Sequence, residues 1–567
     1  MSAALRGQTG FLRRLGALAA AFRDARGKRV TSRNPTGLVR VSQWGGRRKC
    51  SDSLALRGAL PKEQAVGSTN EHIRQRLADE IGRMDKQAPV TVALLYPSPY
   101  AAAMSSLGYQ RIYRAINEAS GLAAERGVLD DDAEGKRGLQ ARPISYESRR
   151  GLDEYPIVAA SIAYEGEIAG FLRMLEAAGI PPLRSERDER HPFVLAGGPL
   201  TFSNPLPLAP FCDAIVVGEA EVIVVDVIRT IEGSSRRIDA WDALAKIPHV
   251  FVPEHHGEIL PTVAKVPDEL LPAWAPIRTP HTVLSNMFLV ETERGCSRRC
   301  TYCVMRRSTN GGMRLVPMER ILELVPEDAR RVGLVGAAVS DHPKVVPLIN
   351  ALADRGCEVG LSSLRPDRLN DDFVAALRRG GQGVLTTAMD GPSEKMRELL
   401  ERKAKEKHLI RCAELTRRHG MDRLKLYLMI GLPGESDDDI DECIRFTTEL
   451  TKIAPVALGI APFCAKRNTP LDGQPFAGID VVDRRLDRLR RGLRGRADVR
   501  STSAKWAWVE YVLAQGGAAE GLATLEASRD GGNFAAYRRA FAKLGNGDGK
   551  APSAGGPRRR SLAIAAV

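Results

Sequence analysis

Long apolar runs and cysteines are scarce in this chain of 567 residues, and each scarcity excludes a class of protein. No segment reaches the ~18 consecutive apolar residues that a membrane-spanning helix needs. Nine cysteines are too few for a scaffold held together by disulfides. The apolar fraction of 43% is ordinary for a globular protein, which excludes collagen, a fully disordered chain and a coiled-coil rod. At ~100–200 residues per domain, the length predicts about three or four folding units.

Net charge is absent from most of the chain. Residues 1–50 contain twelve Lys or Arg and one acid, a net +11, and residues 545–567 contain four basic residues and one acid, a net +3. Together they account for the formal charge of +14, so residues 51–544 sum to zero. The basic composition therefore does not indicate a nucleic-acid groove in the folded body. We expect both ends to be disordered. The alternative is an arm that binds nucleic acid or a membrane surface.

One targeting signal has to be weighed at the N-terminus. Arg13-Arg14 precedes an apolar run over residues 15–22, which resembles a twin-arginine export signal. The run is at the lower limit of length for a signal peptide, and Arg23 and Asp24 follow it directly. We therefore expect a cytoplasmic protein.

Apolar strand patterns alternate with helical patterns between residues 89 and 235. Four apolar segments predict buried parallel strands at residues 90–96, 157–164, 193–199 and 213–219, with glycine or proline turns and helical patterns between them. This repetition is typical of a doubly wound, Rossmann-like α/β sheet. Residues 236–284 are rich in proline and predict a linker with short strands.

A second α/β series begins at residue 285. Six strands are predicted, at residues 287–293, 331–339, 359–364, 383–388, 424–431 and 455–461. Six β/α units are two fewer than a complete barrel has, so residues 285–480 predict a partial (β/α)6 barrel. The predicted fold class is α/β, with this barrel after the N-terminal sheet and a helical region over residues 481–544. Residues 1–88 are predicted to be a basic, largely disordered leader, and residues 545–567 a disordered tail.

Three of the cysteines lie within eight residues. Cys296, Cys300 and Cys303 have the spacing C-x3-C-x2-C directly after the first predicted barrel strand. Active sites of barrels lie at the carboxyl ends of the strands. Iron–sulfur clusters are bound by cysteine thiolates, and three thiolates leave one iron of a cubane cluster open to a small molecule. Structural zinc prefers C-x2-C pairs with four ligands, and no nearby Cys or His completes that set. Structural cysteines without a metal are the other alternative.

The cysteine motif resembles that of the radical S-adenosylmethionine (SAM) superfamily. The resemblance implies that the three cysteines bind a [4Fe-4S] cluster whose open iron chelates the amino and carboxylate groups of SAM. It also implies that one electron from the cluster cleaves SAM to methionine and a 5′-deoxyadenosyl radical, which abstracts a substrate hydrogen. Tyr302, the aromatic residue before the last cysteine, would lie near the adenine. An ordinary core tyrosine is the alternative.

The same resemblance implies further SAM contacts at the strand ends. These residues are Gly336, Ala337, Ser362, Ser363, Arg365, Gly431, Gly434 and Glu435. The first two stand where the family has a Gly-Gly-Glu-like motif for the SAM amino group, but the Glu is missing, so only backbone carbonyls remain. The serines and Arg365 end the third strand, where polar side chains commonly meet the ribose and carboxylate. The last three belong to a turn that resembles the family's Gly-Leu-Pro-Gly-Glu.

Two other strand ends carry polar residues with less defined roles. Asp341 and His342 follow the second strand and would face the rim, although a histidine there is more often a loop residue with its hydrogen bonds satisfied. Met389 and Asp390 end the fourth strand, where relatives often have Pro-Glu-Ala-Gly. This departure puts any inherited role for a glutamate in doubt.

Residues 89–235 resemble the cobalamin-binding-type domain that precedes the barrel in one class of radical SAM enzymes. The resembling stretches, residues 96–100, 163–165, 195–199 and 217–221, end the four predicted strands, where open α/β sheets bind ligands. Gly197, Gly198 and Gly218 would let the backbone approach the corrin. No histidine lies between His72 and His191, so the cobalt would lack a protein axial ligand. The alternative is a vestigial domain.

The combined resemblance implies a radical SAM enzyme, cobalamin-dependent, that methylates or rearranges an unactivated carbon. The alternatives are a cobalamin-independent oxidoreductase, isomerase, sulfur-inserting or tRNA-modifying enzyme, and a non-catalytic iron–sulfur protein. The implied partners are an electron donor such as a flavodoxin or ferredoxin and a small-molecule or peptide substrate. Membrane and nucleic-acid partners are not expected. The sequence does not identify catalytic residues other than the metal ligands.

Overall fold

The computed structural model describes residues 62–129, 142–305, 312–362, 364–547 and 549, with only the backbone of residues 62–69. Residues 1–61 of the predicted leader, Ser363 and the tail from residue 550 lie outside this part of the chain. The described chain begins with helix α1 (Lys62–Ala78). Among the described residues, no helix combines the length and apolar character needed to cross a membrane.

Six strands form the N-terminal sheet in the order β2-β1-β3-β4-β5-β6. They are β1 (Val90–Pro99), β2 (Leu122–Leu129), β3 (Ile157–Ser161), β4 (Phe193–Gly197), β5 (Ala214–Val216) and β6 (Val250–Phe251). The first five are parallel, and β6 is antiparallel to β5. This is the flavodoxin-like order of doubly wound folds, so the predicted fold class is confirmed for this domain.

Helices cover both faces of this sheet. They are α2 (Tyr100–Ala103), α3 (Leu107–Glu118), α4 (Ile168–Ala177) and α5 (Val224–Glu232). Val92 and Leu94 belong to one hydrophobic cluster, whereas the intervening Ala93 and Leu95 belong to another. Alternate residues of β1 are thus buried on opposite faces, which explains why the strand reads as a continuous apolar run.

Strand β2 has no apolar run and was missed by the sequence analysis. Its centre contains Glu125 and Arg126, and Arg126 is 1% exposed. The guanidinium of Arg126 forms ion pairs with Glu80 at 2.7 Å and Glu147 at 2.6 Å. Buried charges need such partners, and the partners of Arg126 come from distant parts of the chain. The local sequence of β2 therefore does not predict a buried strand.

The predicted linker, residues 236–284, contributes to the N-terminal sheet and contacts the barrel. It contains α6 (Arg237–Leu244), the edge strand β6 and α7 (Pro253–His256). Further along, Trp274 forms an antiparallel bridge with Val290 of the first barrel strand. Both of these pairings involve very few residues, which is why no strand pattern is visible in the sequence.

The barrel consists of two parallel sheets joined by a bridge. The six predicted strands are β7 (Phe288–Glu291), β10 (Arg331–Val335), β11 (Glu358–Leu361), β12 (Val384–Asp390), β13 (Arg423–Ile430) and β14 (Val456–Pro462). One sheet has the order β11-β10-β7 and the other begins β12-β13-β14. A parallel bridge between Leu364 and Thr387 connects them. The partial barrel is therefore confirmed.

Helices between these strands form the outer layer. They are α8 (Met318–Leu324), α9 (Val345–Asp354), α10 (Asp371–Arg379), α11 (Glu394–Leu399), α12 (Glu406–Arg418) and α13 (Asp437–Thr451). Side chains define several of the starts: Asn370 accepts from the amide of Phe373 at 2.9 Å, and Ser393 accepts from that of Met396 at 3.1 Å. Such N-caps satisfy backbone amides that have no partner inside the helix.

The C-terminal region is helical, as predicted, but it also adds a seventh parallel strand to the barrel sheet. Its helices are α14 (Ile479–Gly492), α15 (Ala504–Gln515), α16 (Ala518–Arg529) and α17 (Phe534–Ala542). Strand β15 (Asp498–Ser501) pairs with β14. The four residues of β15 include two charged ones, so they show no strand pattern.

Candidate cluster and cofactor site

The three clustered cysteines lie in the loop of a β-hairpin on the barrel rim. The hairpin is formed by β8 (Glu293–Gly295) and β9 (Met313–Leu315), which are antiparallel. Gly295, directly before the first cysteine, has a φ of 98°, a value that favours glycine. Cys300 is buried, Cys296 and Cys303 are half-buried, and all three are free thiols.

The thiols are close enough to influence one another. Burial, together with the neighbouring Cys300 and Cys296, raises the pKa of Cys303 to about 11. Burial also raises the pKa values of Cys296 and Cys300. Among the described residues, no three Cys, His, Asp or Glu side chains converge as a single metal ion would require. A cubane cluster binds each thiolate to a different iron, so three adjacent but separated thiols fit it.

An ion pair connects the cysteine loop to the end of β12. Arg402 donates a hydrogen bond to Cys300 and pairs with Asp390, and Asp390 also interacts with the hydroxyl of Tyr302. Asp390 is 9% exposed and has a φ of 63°. The Met389-Asp390 sequence that departs from the family pattern thus holds a cation against the thiol of Cys300. A guanidinium there would offset the negative charge of a thiolate.

Tyr302, predicted to lie near the adenine, is packed at the ends of β13 and β14. It contacts a hydrophobic cluster that includes Leu432 and Phe463. Burial raises the pKa of Tyr302 well above its usual value. The structure therefore places this ring at the barrel rim beside the cysteine loop, and its contact with SAM stays a prediction.

A second set of ion pairs anchors the outer side of the cysteine loop. Ser297 donates to Asp341 at 2.5 Å, and Arg298 donates to Asp367 at 2.5 Å. Arg365, 6% exposed, pairs with both carboxylates. The guanidinium of Arg365 thus holds the cysteine loop through Asp341 and Asp367. The predicted contact with SAM would have to compete with these two ion pairs. Beside these residues lies a cleft of ≈ 650 Å³, lined by Ser297, Arg298, Arg299, Arg365, Asp367, Arg368, Glu401 and Lys403.

The turn after β10 is contacted by the carboxylate of Glu293, which reaches it from strand β8 and was not among the predicted site residues. The amide of Ala338 donates to Oε1 of Glu293 at 2.7 Å. A Cβ built on Gly336 would lie 2.0 Å from the same oxygen, so only glycine leaves room for it. Burial raises the pKa of Glu293 to about 7. Gly336 and Ala337 are thus accompanied by a side-chain carboxylate, in addition to the backbone carbonyls that were predicted.

The turn after β13 is stabilised by its own glutamate. Glu435 accepts from the amide of Gly431 at 2.8 Å and from Arg485 of α14 at 2.8 Å. Gly431 and Gly434 have φ values of 79° and 74°, which only glycine adopts readily. The backbone of the turn lies at the rim, whereas the carboxylate of Glu435 is occupied by the Gly431 amide and Arg485.

The remaining predicted rim residues are placed as follows. Ser362 directly follows β11 and is half-buried, and Ser363 lies outside the described residues. His342 has both ring nitrogens engaged, with the Val316 carbonyl at 2.9 Å and the amide of Lys344 at 3.1 Å. It is therefore a loop histidine with its hydrogen bonds satisfied.

The predicted cobalamin-side glycines contact the protein's own backbone. A Cβ on Gly198 would lie 2.7 Å from the Ile162 carbonyl oxygen, and one on Gly218 would lie 2.6 Å from the Ala264 amide. Gly197 has the most room, with its nearest contact, the Val216 carbonyl oxygen, at 3.7 Å. The close approaches that these glycines permit are thus made within the chain.

The C-terminal region covers the same edge of the N-terminal sheet. The Asn204 amide, fully buried in the loop after β4, donates to the carbonyls of Leu513, Ala514 and Gly516. Lys466, after β14, pairs with buried Glu165 at 2.6 Å. Among the described residues, these contacts occupy the β3–β5 ends, so the residues there do not form an open cradle for a corrin ring.

Three residues of the site were missed because their roles depend on long-range contacts. Glu293 is the last residue of the predicted strand 287–293, and Arg402 and Asp367 lie in segments without any motif. Asp390 was noted only as a departure from the family pattern. An acid that breaks an apolar strand pattern directly before the cysteines was the one signal available in the sequence.

Two segments of the chain match families of known proteins. Residues 108–253 match the family described as radical SAM proteins, N-terminal, and residues 290–447 match the family described as radical SAM superfamily. The second match includes all three clustered cysteines, the Gly336 turn and the Gly431 turn.

Several curated proteins are distantly similar. The uncharacterized protein MJ0966 of Methanocaldococcus jannaschii is 26% identical over 393 residues, which cover 68% of this chain and 80% of that protein. The ribosomal protein uS12 methylthiotransferase RimO of Kineococcus radiotolerans is 24% identical and covers 69% and 80%, respectively. For RimO of Desulfosudis oleivorans the identity is 27%, and the match spans 30% of this chain and only 41% of that protein.

Solved structures of similar shape include the cobalamin-dependent S-adenosylmethionine radical enzyme OxsB with aqua-cobalamin and S-adenosylmethionine bound. The similarity has a TM-score of 0.44 at 14% sequence identity and covers 65% of this chain. This chain spans about half of that structure, 53%.

Proposed function

Because the chain belongs to the radical SAM superfamily, we propose that it is an enzyme that binds a [4Fe-4S] cluster through Cys296, Cys300 and Cys303 and cleaves SAM reductively. The observation that carries the proposal is the grouping of three free thiols in one rim loop, with the guanidinium of Arg402 on one of them. A non-catalytic iron–sulfur protein would need no open iron and no strand ends arranged around it.

The cluster, when bound, supplies the electron that breaks the sulfonium C–S bond of SAM and thereby starts hydrogen abstraction from a substrate. The chain's own residues position the three thiols, hold the cysteine loop and exclude water from it. The hairpin positions the three thiols, and the ion pairs of Asp341 and Asp367 hold the intervening loop. Arg402 compensates thiolate charge, and the apolar contacts of Tyr302 exclude water from one side.

The proposal is tested with anaerobically reconstituted protein supplied with dithionite and SAM. We expect about four irons and four sulfides per chain and the formation of 5′-deoxyadenosine. The matched control is the Cys412→Ala variant, because Cys412 is fully buried in α12, away from the loop. It should retain both properties. Protein that binds four irons but never cleaves SAM would favour the non-catalytic reading.

Within this class, the finer proposal is cobalamin-dependent methyl transfer or rearrangement at an unactivated carbon. Its support is the flavodoxin-like sheet, whose strand ends are where such folds bind ligands. It requires the segments that cover the β3–β5 ends to move, because Asn204 and Lys466 bind them there. Corrin absorbance that co-purifies with the protein, and a Co(II) resonance without nitrogen splitting, would support it.

A sulfur-inserting reaction is the second candidate, since the curated relatives include methylthiotransferases. Such a reaction needs a sulfur donor besides SAM. The other described cysteines, Cys212, Cys357, Cys412, Cys443 and Cys464, are dispersed through the fold. The arrangement of those cysteines therefore does not support a second cluster. An iron content well above four irons per chain would favour the sulfur-inserting reaction.

The proposed partners are a one-electron donor such as a flavodoxin or ferredoxin, and a small-molecule or peptide substrate. Residues 51–544 have no net charge, which gives no support to a nucleic-acid substrate. Replacing dithionite with reduced flavodoxin in the SAM cleavage assay tests the donor directly.

A further inference from the structure

The acidic stretch after β5 contacts the cluster hairpin, which consists of β8, β9 and the cysteine loop between them. Glu219 and Glu221 belong to residues 217–221, one of the stretches that resemble a cobalamin-binding-type domain. The carboxylate of Glu221 lies 2.8 Å from the guanidinium of Arg294, and that of Glu219 lies 3.3 Å from it. Arg294 is in β8, two residues before Cys296. Ion pairs therefore join this end of the N-terminal sheet to the cluster hairpin.

The second strand of the hairpin contains another arginine that uses the same carboxylate. Arg314 of β9 is directly opposite Arg294 of β8 in the antiparallel pair. Like charges that face each other across two strands destabilise the pairing. Glu219 reaches both of them, with Oε1 2.5 Å from Arg314 and Oε2 3.3 Å from Arg294. One carboxylate of the N-terminal domain thus lies between two cations that would otherwise repel each other.

These ion pairs are shielded from solvent. The side chains of Glu219, Arg314 and Arg294 are 5%, 9% and 14% exposed. Arg294 also pairs with Glu291 of β7 at 2.7 Å, and Arg314 pairs with the exposed Asp268 at 3.1 Å. Surface pairs contribute little to stability, whereas removing one member of a buried pair leaves an uncompensated charge and is strongly destabilising. Glu219 is therefore the buried counter-charge on which Arg314 depends.

We propose that Glu219 and Glu221 are positioning residues for the iron–sulfur cluster, because their carboxylates fix the cluster hairpin to the N-terminal domain. Each strand of the hairpin has only three residues, and an isolated two-stranded hairpin is marginally stable at best in water. The cysteine loop therefore needs support from outside, and the N-terminal domain supplies it. This inference rests on the proposed function, since only a bound cluster requires the thiols to be held in place. It gives residues 217–221 a role in the cluster site that involves no corrin.

The experiment measures the rate at which anaerobically reconstituted protein loses iron to an excess of the chelator bathophenanthroline. Glu219→Gln keeps the shape of the side chain and removes the charge between the two arginines. We expect iron loss to be about 10-fold faster than in the wild type, which is only part of the cost of an unpaired buried charge. Glu221→Gln should have a smaller effect in the same direction, because Arg294 keeps Glu219 and Glu291.

A second substitution tests whether the repulsion between the two arginines is the cause. Combining Glu219→Gln with Arg314→Gln removes one of the facing cations, so the double variant should lose iron more slowly than Glu219→Gln alone. Such non-additivity is typical of residues in one network. Electron paramagnetic resonance of the reduced cluster gives an independent measurement. Its signal should broaden in Glu219→Gln, because a loosely held hairpin gives the thiolates several geometries, and should regain its wild-type width in the double variant.

Glu147→Gln is the matched control for the loss of a buried ion pair. Glu147 pairs with Arg126 at 2.6 Å inside the N-terminal domain, and its side chain is 8% exposed. This variant should lower the midpoint of urea unfolding of the apoprotein, as Glu219→Gln does, but should lose iron at the wild-type rate. Faster iron loss in Glu147→Gln would overturn the inference, because any weakening of the N-terminal domain would then release the cluster.

The outcomes distinguish this inference from the proposed function. Wild-type protein that cleaves SAM, with a Glu219→Gln variant that loses iron at the wild-type rate, overturns the inference alone. If Glu219→Gln cannot be loaded with iron, the double variant decides: loading restored by Arg314→Gln supports the inference, and continued failure overturns it. Wild-type protein that binds no cluster overturns the proposed function, and the inference with it.

Discussion

The protein contains two sets of parallel strand ends, and different groups occupy them. At the barrel rim, the strand ends carry three thiols, a half-buried arginine on Cys300 and the carboxylate of Glu293, which has no cationic partner among the described residues. At the N-terminal sheet, the ends of β3–β5 are filled by the chain's own backbone and by the C-terminal region. Parallel strand ends thus form the proposed reactive site in one domain and a packing surface in the other.

The difference shows that strand ends only offer a location for chemistry. A flavodoxin-like order predicts a crevice, but Gly198 and Gly218 are used for close packing of loops, and Asn204 caps the end of α15. A glycine that follows a strand can therefore let the backbone approach either a ligand or another loop of the protein. Contacts from distant segments decide between them.

The largest effect should follow from removing the thiols of the barrel rim. The Cys296→Ala, Cys300→Ala and Cys303→Ala triple variant is expected to lose the cluster absorbance near ~400 nm and all SAM cleavage, because no other described residues group as ligands. The comparison would be broken if this variant kept its iron, or if Cys212→Ala in the N-terminal domain lost it.

The second effect concerns a buried acid of the N-terminal domain. Burial raises the pKa of Glu167 from 4.5 to about 7, with Ser98 and the Ala163 amide as its hydrogen-bond partners. Between these pH values the folded protein binds more protons than the unfolded chain, so stability is present at lower pH and is lost as pH rises through 7. The loss amounts to about 3 kcal/mol.

Urea unfolding of the apoprotein at pH 5 and pH 8 measures this loss. In Glu167→Gln the decline between the two pH values should shrink by that amount. Wild type and variant with parallel pH profiles would show that Glu167 does not change its protonation on unfolding.

The third effect tests whether the N-terminal glycines are structural. Gly198 has a φ of 98°, and a Cβ would collide with the Ile162 carbonyl oxygen, so Gly198→Ala should destabilise the apoprotein by roughly 1–3 kcal/mol or more. Gly434→Ala is the control, because its φ is 74° but nothing lies within 4 Å of the added carbon. Its cost should be limited to backbone strain, roughly 1 kcal/mol. Equal midpoints for the two variants in urea would contradict the packing interpretation.

The smallest effect should come from Arg402. A cation that donates to a cluster sulfur stabilises the reduced, more negative state, so Arg402→Met should shift the reduction potential of the cluster to a more negative value. Potentiometric titration followed by electron paramagnetic resonance measures this shift. Arg445→Met is the control, because Arg445 pairs with Glu406 on the barrel surface. A potential unchanged in Arg402→Met would remove Arg402 from the cluster environment.

Much of the fold could be read from the sequence because its strands are buried on both faces and appear as apolar runs. Strands β1, β3, β4, β5 and the six barrel strands are predicted in this way. Strand β2 was not, since Arg126 interrupts it, and the ion pairs that make that arginine acceptable come from Glu80 and Glu147. Strands β6 and β15 were missed because two and four residues carry no periodicity.

The sequence alone determined the class of chemistry. Three cysteines within eight residues, after an apolar strand, are local information, because the chain connects them whatever the rest of the protein does. Tertiary structure alone decided which other side chains join them: Glu293 reaches over Gly336, Arg402 reaches Cys300, and Asn204 closes the N-terminal edge. The partners are far apart in the sequence. Glu293 and Gly336 are 43 residues apart, Cys300 and Arg402 are 102 residues apart, and Asn204 and Leu513 are more than 300 residues apart. Such contacts depend on burial and hydrogen-bond geometry, which exist only once the chain has folded.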